Sequence, residues 1–272
     1  MKELTKNKLG GFFLAACAIT LLTAVVRTAC LFWFYEPNVG YFREGLPSVL
    51  VSLLYVLGLA VCICPLLLLP RKQLSASRNS ASRTALTLRV PAVVAFFVCG
   101  IFILGNSAIQ SIKLDIFTGI FCIISTLYFL FSVLSEIPRF QGRFDALRPW
   151  FCIAVIAALL CVLASAYFDT TVNINGPFTS LFLFSLLSCA LFLLGEMRHD
   201  IGRPMERLHF VSGLAAFFLS ASSSVGNLLF CFLGDTGVGK TISDPTRPLL
   251  LFSLSLFILA RLLCFTVKKQ EN

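Results

Sequence analysis

The stretch Asn227 to Phe252, "NLLFCFLGDTGVGKTISDPTRPLLLF", decides the fold, because its centre and its flanks point in different directions. The octapeptide Gly234 to Thr241, "GDTGVGKT", satisfies the phosphate-binding pattern G-x-x-x-x-G-K-[ST]. A working phosphate loop joins a strand of a parallel sheet to a helix whose N-terminal amides face the phosphates. Here Pro245 and Pro248 stop a helix almost as soon as one could begin. The preceding "NLLFCFL" is the end of a longer apolar run rather than an isolated strand. Glycine, aspartate and threonine are also the residues that tight turns use. The octapeptide therefore reads as a turn between two apolar spans, and no nucleotide or other cofactor is expected.

The rest of the chain repeats that alternation. Of 272 residues, 58% are hydrophobic and 13% charged, against roughly 25% charged in ordinary soluble domains. A helix needs about 20 mostly apolar residues to cross a bilayer. Eight segments meet that requirement, at about 10–33, 48–69, 90–109, 115–135, 149–168, 177–195, 208–233 and 248–267. The connectors are too short and polar to bury a core of their own. The expected architecture is all-α, a polytopic membrane helix bundle forming a single integral domain over residues 1–272, with the lipid bilayer as its principal partner.

Lysine and arginine gather on the cytoplasmic side of short loops. With the N-terminus placed inside, 16 of the 22 basic residues fall on the inner side and 4, namely Arg43, Lys113, Lys240 and Arg247, on the outer, while Arg27 and Arg261 lie within spans. Both termini are expected in the cytoplasm, in the cell membrane, and "GDTGVGKT" outside, where nucleoside triphosphates are scarce. The formal charge of +9 then follows from loop asymmetry and calls for no nucleic-acid partner. The first segment, after Lys6 and Lys8, runs too long and lacks an A-x-A site, so it reads as an uncleaved signal anchor. "RTAC" at Arg27 to Cys30 carries a charge where a lipidation site wants an aliphatic residue. All eleven cysteines fall inside spans and form no C-x-x-C pair, as expected of small hydrophobes rather than metal or disulfide ligands.

An internal echo emerges from a search for periodicity. "AFFVCGIFILGN" (Ala95 to Asn106) and "AFFLSASSSVGN" (Ala216 to Asn227) share A-F-F and G-N at an offset of 121, and "EIPRFQGR" (Glu136 to Arg143) and "EMRHDIGR" (Glu196 to Arg203) share E-x5-G-R at an offset of 60. These offsets suggest four repeated helical hairpins, or two parallel four-helix halves over 1–136 and 137–272. Small and polar residues recur along one face of the odd-numbered spans, for example Ala216, Ser220, Ser223 and Asn227. Even-numbered spans are rich in Leu and Phe, which leads to the expectation of odd helices inside and even helices against lipid.

Ionisable and amide groups within spans are expensive and mark functional candidates. Arg27, Asn106 and Asn227 all fall in the outer half of odd spans, with Asp169 at the same level. The candidate is an outward-facing polar pocket lined by Arg27, Asn106, Asp169, Ser223 and Asn227, joined by Ser222 and Ser224. Arg261, near the inner end of the last span, is expected to snorkel as an anchor. "GEMRHDIGRPMERLHF" (Gly195 to Phe210) holds both histidines, but Gly202 and Pro204 interrupt it, so an interfacial loop is expected and no metal site. The Ser- and Arg-rich segment from Arg71 to Arg89 reads as a solvated inner linker. No H-E-x-x-H or G-x-S-x-G pattern appears, and a non-enzymatic role is favoured. The leading functional reading is a transporter of a small or lipid-like anionic solute, with Arg27 receiving the anion; the alternative is a non-catalytic sensor or partner subunit.

Overall fold

A computed structural model describes residues 2–36, 41–42, 45–68, 83–110, 113–140, 142–168, 177–233 and 245–266. The segment "GDTGVGKT" and Asp169 lie outside the described residues. Eight helices follow the eight expected spans: α1 (Lys2–Phe34), α2 (Leu46–Leu68), α3 (Arg83–Gln110), α4 (Lys113–Leu134), α5 (Arg148–Tyr167), α6 (Pro177–Asp200), α7 (Glu206–Leu233) and α8 (Thr246–Thr266). Each is long and apolar enough to cross a membrane. Between α1 and α2, a two-residue antiparallel ribbon pairs Tyr35 with Phe42 and Glu36 with Tyr41, which leaves the all-α class intact.

Several helices run further than hydropathy suggests. α3 starts at Arg83 and so absorbs the last part of the expected linker, including Arg89. α6 continues to Asp200 and α7 begins at Glu206, which reduces the expected interfacial loop to five residues. The reason is electrostatic: Arg89, Arg148, Glu196 and Asp200 are held against oppositely charged partners on neighbouring helices or, for Arg89, on the connector after α4. Charges paired in this way can remain in helix inside the bundle instead of leaving for water.

Six helices form a closed ring in which α3, α4, α5, α6, α7 and α8 each touch the next and α8 returns to α3, while α1 and α2 pack on α7. Aromatic rings fill the ring where α3, α4 and α8 meet, with Phe96 and Phe129 centred 4.7 Å apart and Phe129 and Phe257 5.0 Å apart. In lipid, helices associate through close packing rather than water exclusion, and small residues permit it. Gly100 of α3 and Gly119 of α4 face each other so closely that a Cβ on either would lie 3.0 to 3.1 Å from the other's carbonyl oxygen.

The expectation of odd helices inside and even helices outside is not met. The most enclosed spans are α7 and α8, 67% and 72% buried, against 33% for α1, α2 and α3. The Leu- and Phe-rich surface of α8 faces protein, because apolar side chains fill a helix interior as readily as they face lipid. α2 lies against α1 and α7, and α6 against α5 and α7. Gly142 and Gly202, six residues after Glu136 and Glu196, both adopt φ of 80° in the connectors after α4 and α6.

Candidate functional site

Among the described residues, a buried polar centre lies inside the bundle near each end. The first is built on Arg27, one helical turn above Thr23 on the buried face of α1. Its Nη1 donates to the Tyr55 hydroxyl of α2 at 3.0 Å and its Nη2 to Asn227 Oδ1 of α7 at 3.0 Å. Arg27 and Asn227 are each 1% exposed. The charge is therefore enclosed at the joint of three helices. Gly226 allows this approach, because a Cβ there would lie 3.2 Å from Leu31 and Thr28 of α1. Tyr35 sits close enough to feel Arg27: burial pushes its phenol above the ordinary value and the nearby cation opposes that push.

The residues expected in one pocket separate. Arg27 and Asn227 are brought together. Ser223 is buried one turn earlier on α7 and turns to α6, its hydroxyl 3.1 Å from that of Ser185. Ser222 and Ser224 bond back to the carbonyls of Phe218 and Ala221, as hydroxyls in spans commonly do. Asn106 is exposed on α3, a helix that packs on α4 and α8, and does not join them. Asp115 at the start of α4 accepts from Ser165 of α5 at 2.9 Å, and Arg247 donates to the same hydroxyl at 3.4 Å. Tyr55 completes the Arg27 centre and was not singled out by the sequence, since a tyrosine in an apolar span carries no mark of its partner.

The cavity beside this centre is apolar. An open groove of about 670 Å³ is lined by α1, α7 and α8. Ala24, Thr28 and Ala29 of α1, Ala221 and Val225 of α7 and Leu256 of α8 form its walls. Ala24 and Thr28 flank Arg27, and Val225 lies two residues from Asn227, so groove and charge share the same two helices.

The second centre lies at the opposite end of the bundle. Glu196 Oε1 of α6 accepts from Arg261 Nε of α8 at 2.8 Å and stands 3.0 Å from His209 Nε2 of α7. All three are essentially buried, which corrects the expectation that Arg261 snorkels to the headgroups. Phe192 and Phe265 enclose the His209 ring at centroid distances of 4.9 and 5.5 Å. Beside them Arg148 Nη2 of α5 approaches Asp200 Oδ1 of α6 at 3.5 Å. Arg89 Nη1 of α3 donates to Glu136 Oε1 after α4 at 2.6 Å, and its Nη2 reaches Cys264 Sγ of α8 at 3.6 Å. Three cations meet three carboxylates on α3, α5, α6, α8 and the connector after α4, and His209 adds α7. The signal available in the sequence was the spacing of Glu196, His199 and Asp200, positions i, i+3 and i+4 on one helical face.

Comparison with known protein families, characterised proteins and solved structures finds no match for this chain.

Proposed function

We propose that this multi-pass membrane protein is a transporter of a small or lipid-like anionic solute, with both termini in the cytoplasm and Arg27 in the outer half of the bilayer. One observation carries the reading: an open apolar groove lies beside a buried guanidinium on the same two helices. An amphiphile enters sideways from the bilayer, its chain replacing lipid along Ala221 and Val225. Its anionic head exchanges with Asn227 or Tyr55 for the guanidinium, forming charge-assisted hydrogen bonds that are roughly twice as strong as neutral ones.

Photolabelling tests this in nanodiscs with a diazirine-bearing long-chain fatty acid. Adducts are expected on peptides spanning 20–33 and 217–229, competed by the unlabelled acid and not by the corresponding alcohol. Ala29→Phe fills the groove and is expected to cut labelling several-fold. Labelling spread evenly over all eight helices, or unchanged by Ala29→Phe, would discard the proposal.

The alternative, a non-catalytic sensor or partner subunit, draws on the second centre, whose paired charges fix helix register without leaving an open site. Under that reading Arg27→Lys leaves every solute flux in proteoliposomes unchanged. Under the transporter reading it lowers flux while the protein remains folded.

A further inference from the structure

The end of the bundle that holds the paired charges carries two corners built alike. Glu136 precedes Gly142 and Arg143, and Glu196 precedes Gly202 and Arg203. Each carboxylate turns inward to an arginine, Glu136 to Arg89 and Glu196 to Arg261. Each glycine has φ of 80°, where an L side chain is strained and glycine is not. Each following arginine is exposed. The Arg148 to Asp200 contact holds the start of α5 on the end of α6, so both corners lie at this end of the bundle.

Chemistry narrows the partner. The inward charges cancel in pairs, and of the remaining charges in these two segments the exposed Arg139, Arg143, Arg198 and Arg203 outnumber the partly exposed Asp145 and Glu206, which leaves this surface basic. Every cation in 136–148 and 196–207 is arginine and none is lysine. The planar guanidinium fork matches phosphate oxygens in pairs, which an ammonium does not. Exposed apolar side chains flank the corners in the chain, with Trp150 72% exposed and Leu147, Ile201 and Met205 exposed as well. Tryptophan in such a place sits at headgroup level. We infer that the two Gly–Arg corners bind the phosphate of an anionic phospholipid, with its glycerol and upper acyl region against Trp150. The exposed apolar side chains favour a lipid over a nucleic acid, whose backbone offers nothing to cover them.

The test uses the two tryptophans, Trp33 and Trp150, which lie at opposite ends of the bundle. Trp33→Phe leaves Trp150 as the sole reporter. The full chain is placed in nanodiscs of phosphatidylcholine and phosphatidylglycerol in equal amounts, and either the anionic or the zwitterionic lipid is brominated. Attraction per arginine corresponds to about a fivefold local enrichment. Trp150 quenching by the brominated anionic lipid is therefore expected to exceed that by the zwitterionic one at least about twofold. Arg143→Gln with Arg203→Gln is expected to bring the ratio near one, and Arg139→Gln with Arg198→Gln to lower it less. All four side chains are exposed, so folding is preserved. Equal quenching in the Trp33→Phe chain, a ratio untouched by the corner substitutions, or equal losses in both double variants overturns the site. The last result would leave only a diffuse basic surface.

Discussion

Glu196 has no exposed surface and shares one oxygen between Arg261 and His209. Removing a single member of a buried pair leaves an uncompensated charge, which costs about 3–5 kcal/mol, whereas replacing both members by apolar groups of similar size is often near neutral. Glu196→Gln is therefore expected to lower the detergent-solubilised melting temperature strongly, and Glu196→Gln with Arg261→Met to recover most of the loss; a thermal-shift series reads both. A double variant as unstable as the single one would mean that His209, not Arg261, is the partner that matters. The sequence exposed Arg27 and Asn227 because an arginine and an asparagine stand out in apolar spans. It misplaced Arg261 and Glu196, because a charge near the end of a span looks the same whether it reaches headgroups or a carboxylate 65 positions away.

At the level of elements, the Gly100 and Gly119 crossing offers the sharpest case. A Cβ on Gly119 would stand 2.5 Å from Leu104 Cγ and 3.0 Å from the Gly100 carbonyl oxygen, and the backbone cannot swing aside as a side chain can. Gly119→Ala is expected to destabilise the α3 and α4 pair by about 1–3 kcal/mol, as overpacking does, while Gly105→Ala, with open space around it, leaves stability unchanged. Chemical unfolding in mild detergent compares the two. Helix existence was legible throughout, since runs of about 20 apolar residues have few alternatives. Helix ends and faces were not. Hydropathy cannot extend α6 through Arg198, His199 and Asp200, and it cannot tell which side of an apolar helix meets protein when lipid is equally apolar.

For the whole molecule, orientation rests on the loop charges, and "GDTGVGKT" offers the handle. Lys240→Cys is expected to react with a membrane-impermeant maleimide in intact cells, with the eleven wild-type thiols as the control. Reaction only after permeabilisation would invert the assignment and move Arg27 to the inner half. Eight helices could be read from composition, yet the closed ring could not, because it depends on which non-consecutive helices meet. The ring has a consequence for synthesis. Its closing helix, α8, is the last of the eight to be made, and it supplies Arg261. At about 5–20 residues per second, Glu196 emerges roughly 3–13 s ahead of its partner. During that interval α6 must be inserted with an acid not yet neutralised by Arg261. Its position four residues from the end of α6, near the aqueous boundary, lets it wait there until the ring closes around it.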